Sequence, residues 1–250
     1  MIIELITPIV TRGVRTLDDV RPLERPDLTI AHSLLDRGPS SIESRTEEAL
    51  AVPDTVRLAV EAQARGADAI VIDCMGDPGL HACREMVSIP VLGAGQTAMH
   101  LANMLGSQFA FITVLDRIKP LVDDLVATYG LGEKYASFKA VDIPVLDLSR
   151  DPSALNAALT EQAIIALESD GADIVVLGCT GFLGCAQAMQ SALRTAGFEV
   201  PVIDPIPATV YMAEALIKSG LSQSKRAYPH PGKKPMVGYE LPDCGTEAAS

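Results

Sequence analysis

Cys74 and Cys179 stand in two versions of one stretch, and that makes them the residues best placed by type and spacing to do chemistry together. GADAIVIDCMGDPG, from Gly66 to Gly79, and GADIVVLGCTG, from Gly171 to Gly181, align without a gap at a constant offset of 105 residues (Cys74 to Cys179). In each copy a β-branched run (Ile70, Val71, Ile72; Ile174, Val175, Val176) reads as a short strand covered on both faces, with the cysteine just past its carboxyl end. That edge of an open α/β sheet is where loops and helix N-termini converge and ligands bind. Two like residues on matched loops suit a reaction that removes a proton from one face of a carbon and returns one to the other. It needs a base and an acid that exchange roles in the reverse direction. A thiol with a pKa of about 8.5 is roughly a tenth ionised at pH 7.5, and nearby N–H donors raise that fraction. The backbone N–H groups of Met75-Gly76 and Thr180-Gly181 are candidates for holding substrate oxygens as enolate charge develops.

The plainer readings stand beside this one. A lone cysteine after a buried strand is ordinarily a small core residue, and only the matched context argues otherwise for Cys74 and Cys179. Cys83 and Cys185, on expected helices, keep the core reading, and Cys244 lies in the tail. Cys74, His81 and Cys83 match no closed zinc spacing and lack an evident fourth ligand, so no metal is expected. His32 and His100 read as ordinary polar residues. Gly93-Ala94-Gly95 reads as a tight strand-to-helix turn, and with no nucleotide loop, Walker pattern or HExxH the chain implies no cofactor. Thr7, Pro8, Ser41, Gln96 and Thr113 are substrate-binding candidates by their place at strand ends, where turn and cap chemistry is the competing explanation.

The elements that must position these residues alternate along the chain. Strands are expected at Ile2 to Ile6, Thr29 to Leu35, the first cysteine strand, Ile89 to Leu92, Phe109 to Val114, Ile143 to Leu148, the second cysteine strand and Val200 to Ile203. Helices are expected at Pro53 to Arg65, with Pro in the first turn and Gly66 as the stop, and at Pro78 to Val87, where Asp77-Pro78 looks like an N-cap. Further helices are expected at Thr97 to Leu105, Pro120 to Tyr129, Pro152 to about Glu168, near Phe182 to Thr195, and Ala208 to Ser219. Val200-Pro201-Val202-Ile203 echoes Ile89-Pro90-Val91-Leu92 and extends the duplication. The alternation predicts an α/β protein of two doubly wound parallel-sheet halves, with the remainder from Ser222 wrapping the body.

Composition limits the partners. With 250 residues the chain can bury a sizeable core, and no apolar run approaches the roughly 20 residues of a membrane span. The start, MIIELITPIV, lacks the basic segment and cleavage site of a signal peptide. Five cysteines without framework spacing fit free thiols in a reducing compartment, so a cytoplasmic protein is expected. A formal charge of −12 argues against nucleic acid and anionic membranes as partners. A small-molecule substrate and a homo-oligomer are expected.

VIDCMGDPGL, VVLGCTG, GPSSIES followed by EEALAVP, and IPVLGAG together resemble the Asp/Glu racemase superfamily, and most closely its hydantoin and allantoin racemase branch. The resemblance runs from Ile2 to about Lys234. It departs at Thr7-Pro8-Ile9-Val10, where the branch usually has an Asn-Pro-Asn-Thr type loop, at Thr180, where it usually has alanine, and at Gln96, often acidic there. The resemblance implies two domains, residues 1–94 plus 208–250 and residues 95–207, related by a pseudo-twofold axis with the active site in the cleft between them. It implies a racemase without cofactor that uses Cys74 and Cys179 as its acid/base pair on a 5-substituted hydantoin or a similar cyclic ureide such as allantoin. The alternatives are an aspartate- or glutamate-type amino-acid racemase, favoured by Thr180 but in want of an added cation for the substrate carboxylates; a maleate-type isomerase with one thiol attacking covalently; and a small-molecule sensor with a degenerate site.

Overall fold

The β-branched runs become inner strands of two parallel sheets in the computed structural model, which describes residues 1–232 and 234–239. The first half runs β1 (Ile2–Thr7), α1 (Leu17–Val20), β2 (Thr29–Leu34), α2 (Arg45–Ala64), β3 (Ala69–Ile72), α3 (Leu80–Met86), β4 (Val91–Gly93) and α4 (Ala94–Leu105). The second runs β5 (Phe109–Thr113), α5 (Lys119–Thr128), β6 (Tyr135–Ala140), α6 (Pro152–Ser169), β7 (Ile174–Leu177), α7 (Cys185–Thr195), β8 (Val202–Ile203) and α8 (Pro205–Lys218). The sheets share one order, β2-β1-β3-β4 and β6-β5-β7-β8. In each the chain leaves the first strand toward one edge and returns on its other side, so the order reverses between β1 and β3, and between β5 and β7. The crevice at the carboxyl ends of two such strands is the favoured ligand position in an open α/β sheet. Register places Ile6 beside Ile72 and Ile112 beside Leu177, so Thr7 and Thr113 emerge next to the turns that carry the cysteines.

Burial explains the layering. One apolar cluster joins the inner faces of both sheets (Leu5, Val71, Phe111, Val176) to α4 (Ala98, Met99) and α8 (Ile206, Val210). The outer face of the first sheet is covered by α2 and α3, that of the second by α6 and α7. Val71 and Val176 are fully buried, and each such side chain contributes roughly 1.5–3 kcal/mol relative to exposure. The helix after each last strand crosses over: α4 packs on β7 and β5, α8 on β3, β4 and β1, and the two helices pack on each other.

Several expectations need correction. Ile143 to Leu148 is not a strand: Pro144 has no N–H for a ladder and Val145–Asp147 forms a 3-10 turn, while the half-buried Tyr135–Ala140 pairs with β5 as the edge strand. The helix expected from Pro53 starts at Arg45. Ser44 caps it by accepting from Glu47 N–H while the Glu47 carboxylate accepts from Glu43 N–H, and Pro53 lies inside at the loss of one helical hydrogen bond. Asp77-Pro78 does not cap its own helix. Asp77 adopts a left-handed backbone (φ 50), α3 starts only at Leu80, and the carboxylate instead accepts from the N–H groups of Gly95 and Gln96 at the start of α4. Helices α4 and α8 begin earlier than expected, at Ala94 and Pro205, whereas Thr180–Phe182 is a 3-10 turn and α7 starts at Cys185. The tail packs on the first half through Ser222, Gln223 and Tyr228, whose ring stacks on His81. Cys244 lies outside the described residues.

Candidate active site

Each cysteine is the second residue beyond its strand, after Asp73 in one copy and Gly178 in the other, and both line a single cavity between the two sheets. Each turn is anchored by the threonine that ends the neighbouring strand. Thr7 Oγ1 donates to the Asp73 carboxylate at 2.7 Å, and Thr113 Oγ1 donates to the Gly178 carbonyl at 2.9 Å. Because Thr7 gives its proton to Asp73, the His32 Nε2 that lies 2.9 Å from Thr7 Oγ1 is assigned as the donor of that bond. Burial, first among the influences on His32, lowers its pKa and keeps the ring neutral.

Arg15 links the two cysteine turns. Its guanidinium is almost fully buried and grips Asp73 through Nε at 2.8 Å and Nη2 at 3.3 Å, and Nη2 also donates to the Thr180 carbonyl at 2.6 Å. Thr180 Oγ1 donates back to the Asp73 carbonyl at 3.2 Å. The residue before Cys74 and the residue after Cys179 are thus linked twice, once directly and once through Arg15. Removing one member of a buried ion pair such as Arg15–Asp73 costs about 3–5 kcal/mol.

Burial is the main influence on both thiols. It pushes Cys179 up to about 12 and Cys74 well above the ordinary thiol value. The backbone N–H groups of Gly76 and Gly181 act in the opposite sense, the latter 3.4 Å from Cys179 Sγ. A negative charge on Cys179 raises Cys74 further, so the cavity favours at most one thiolate at a time. Gly181 leaves little room beside the thiol: a Cβ there would sit 3.3 Å from Cys179 Sγ and 2.7 Å from the end of the Leu148 side chain, which would have to shift.

Of the binding candidates, Thr7, Pro8, Met75, Gly76, Thr113, Thr180 and Gly181 line the cavity with the two cysteines. Ser41 does not, although the next two residues, Ile42 and Glu43, do. Gln96 lies away from the wall, where its Oε1 accepts from Arg84 Nη2 at 2.7 Å. Sequence reasoning missed Arg15, Asp73, Glu43 and the apolar wall built by Ile42, Phe111, Val114, Ile118, Leu121, Val122, Leu125 and Val145. A signal for Asp73 was present, since a carboxylate at the end of an otherwise apolar strand demands a buried partner. Glu43 Oε1 accepts from the Val145 N–H at 2.8 Å, and Arg45 pairs with Asp124 at 2.6 Å, so this segment of the first half closes onto the second. Behind the Cys74 turn, Tyr129 Oη donates to Asp77 Oδ2 at 2.6 Å. Among the described residues no group of three His, Cys, Asp or Glu side chains could hold a metal ion, and no helix is long and apolar enough to cross a membrane.

The family model described as Asp/Glu/Hydantoin racemase matches residues 13–213, a span that takes in both cysteine turns and Arg15. The chain belongs to the Asp/Glu/hydantoin racemase family. A hydantoin racemase from Pseudomonas sp. (strain NS671) is 39% identical over 202 residues, 80% of this chain and 79% of that protein. The solved allantoin racemase from Klebsiella pneumoniae is 34% identical, with a TM-score of 0.87 over 95% of this chain and 96% of that one. Allantoin racemase from Pseudomonas fluorescens is 30% identical, with a TM-score of 0.85 over 95% of this chain and 100% of that one. Within this family fold, the pair of parallel sheets places a like residue on each side of one cavity.

Proposed function

We propose that this protein is a cofactor-independent racemase of cyclic ureides, and that Cys74 and Cys179 are its acid/base pair acting on a 5-substituted hydantoin with an apolar substituent. The observation that carries this reading is the presence of both cysteines, on matched turns at the reversal points of two sheets, in the wall of one cavity. The thiolate on one side takes the C5 proton, the C–H electrons move onto the neighbouring carbonyl oxygen, and the thiol on the other side returns a proton to the opposite face. The product is the mirror image, and the two sulfurs have exchanged protonation states.

The charges in the cavity support a neutral ring over an amino acid. An α-carboxylate brings a full negative charge of its own into the ground state, whereas the charge of Arg15 in the wall is already balanced by Asp73, and Glu43 adds a negative group. Proton transfer from a neutral ring to a thiolate only relocates a charge the site already holds. Thr180, the residue that favoured the amino-acid reading, has its hydroxyl engaged on the Asp73 carbonyl. The apolar wall contributed by α5, Ile42 and Val145 suits a hydrocarbon substituent better than the ureido group of allantoin.

The mechanical units of this enzyme are proposed to be residues 1–94 with 208–250, and residues 95–207, a division supported by the crossed packing of α4 and α8. A cytoplasmic location is supported by four free cysteines among the described residues. Assembly as a homo-oligomer belongs to the same proposal.

The test combines polarimetry with exchange of the C5 proton for solvent deuterium, on both enantiomers of an apolar 5-substituted hydantoin. The wild-type chain is expected to racemise it. Cys74→Ser and Cys179→Ser should each abolish racemisation, with any remaining exchange confined to one enantiomer and to opposite enantiomers in the two variants. Near-normal racemisation by either variant rejects the two-base mechanism. Below the thiol pKa values, log(kcat/KM) should rise with about unit slope between pH 6 and pH 9.

A further inference from the structure

Arg15 has hydrogen-bonding capacity that its structural role does not use. A guanidinium carries five N–H donors. Nε and both hydrogens of Nη2 go to Asp73 and the Thr180 carbonyl, and among the described residues no acceptor pairs with Nη1. The side chain is only 5% exposed and lines the cavity that holds the two thiols. Its partners fix its place: Asp73 directly precedes Cys74 and Thr180 directly follows Cys179. Arg15 Nη2 is 2.6 Å from the carbonyl of the residue that follows Cys179, and both residues line the same cavity. Two of the positions where this chain departs from the pattern it resembles belong to the same network, since Thr7 donates to Asp73 and Thr180 both accepts from Arg15 and bonds the Asp73 backbone.

We propose that Arg15 is a catalytic residue whose Nη1 donates to the ring carbonyl oxygen next to C5, holding that oxygen as it becomes an enolate. The proposal rests on the racemase reading above and adds to it the group that receives the charge. When the thiolate takes the C5 proton, the electron pair of the C–H bond becomes the C=C bond of the enolate, and the carbonyl π pair moves onto oxygen. The opposite thiol then protonates C5 and the carbonyl re-forms, so no electrons are gained or lost. Throughout, one negative charge passes from sulfur to oxygen and on to the other sulfur, beside a guanidinium that does not move. A donor fixed in advance in a site with little water favours the enolate over the ground-state carbonyl, because it is already oriented when the charge arrives. Asp73 and Thr180 supply that orientation, holding the planar group by two of its nitrogens and leaving the third directed at substrate.

The experiment uses the full chain, an apolar 5-substituted hydantoin as substrate, and 5,5-dimethylhydantoin, which has no C5 proton, as a probe of ground-state binding. If the wild-type chain is inert on hydantoins and on allantoin, the racemase reading falls and this proposal with it. If the wild type racemises, the Arg15 variants test this proposal alone. The charge-neutral double variant R15M/D73N leaves no unpaired carboxylate behind. Its kcat is expected to fall by about 10²–10³-fold, the loss typical of one oxyanion donor, with dimethylhydantoin bound within about threefold of wild type. R15K keeps a cation beside Asp73 but lacks the second arm, and its kcat should fall at least about tenfold. A folded R15M/D73N within about threefold of wild-type kcat overturns the proposal, as does a loss confined to KM and to dimethylhydantoin affinity. If circular dichroism shows R15M/D73N unfolded, R15K decides, and kcat within about threefold of wild type overturns the proposal there too.

Discussion

Replacing Tyr129 by Phe removes one hydroxyl that crosses from the second half of the chain to Asp77 in the first, and its cost should depend on pH in a direction the structure fixes. Asp77 is buried and accepts from Tyr129 Oη at 2.6 Å, Gly95 N–H at 2.8 Å and Gln96 N–H at 2.7 Å. Burial raises its pKa to about 6, with Tyr129 the largest influence in the opposite sense. A carboxyl whose folded pKa lies above its unfolded value stabilises the fold most fully in acid, and that contribution is lost as pH rises through the folded pKa. Above pH 6 the native state therefore holds a buried carboxylate that needs its donors. A hydrogen bond to a charged group contributes about 1.5–3 kcal/mol and one between neutral groups about 0.5–1.5 kcal/mol. Tyr129→Phe should accordingly cost roughly 1 kcal/mol more at pH 7.5 than at pH 4.5, equivalent to raising the Asp77 pKa by about one unit. Urea unfolding of both proteins at the two pH values measures this double difference, in which the other titrating groups cancel. Equal costs at pH 7.5 and pH 4.5, within about 0.3 kcal/mol, would refute the assignment of a charged, donor-dependent Asp77.

Two further outcomes follow from the packing. Cys83 is fully buried in the apolar cluster under α2 and α3, and burial pushes its pKa up to about 12. A raised folded pKa here means stability is lost as pH climbs above the unfolded thiol value of about 8.5, so Cys83→Ala, although less stable at pH 8, should lose about 1.9 kcal/mol less than wild type between pH 8 and pH 10 in denaturant titrations. An equal alkaline loss in both proteins would show that the thiol is not held in its neutral form. Gly95→Ala would set a Cβ 2.2 Å from the Met75 carbonyl, directly behind the Cys74 turn. It should lower the thermal midpoint by several degrees and reduce racemisation, and a fully active, equally stable variant would contradict the close approach of α4 to that turn.

What could be read from the sequence was what local chemistry dictates. The runs before Cys74 and Cys179 are apolar and β-branched because their strands are covered on both faces, and the matched turns after them pointed to the two cysteines that line one cavity. Tyr135–Ala140 escaped notice because an edge strand that is half-buried throughout has no apolar run, whereas Ile143 to Leu148 has one and is a turn. Asp77-Pro78 was misread because that pair has a strong local meaning as a helix cap, overridden here by a left-handed backbone and by partners 18 and 52 residues away. Arg15 was invisible for a similar reason. It stands in a polar loop without periodicity, and it is meaningful only beside Asp73 and Thr180, 58 and 165 residues on. The walls of the cavity come from α5 and from the segment before α2, whose approach to each other is a property of the closed fold.

The crossing of α4 and α8 makes each half of the molecule the keeper of the other. The helix that follows β4 roofs the second sheet, and the helix that follows β8, made last, roofs the first. A ribosome that has finished the first half has therefore not finished its core, for the inner face of that sheet waits for residues beyond Pro205. A chain cut between the halves would release two fragments, each with one apolar sheet face open to water, and their readiest way to close it is to trade helices with each other. The same interlock ties the cleft shut at two places: α4 packs on α8 at one, and at the other the rim around Glu43 and Arg45 bonds α5 and Val145, so separating the halves would have to break both sets of contacts.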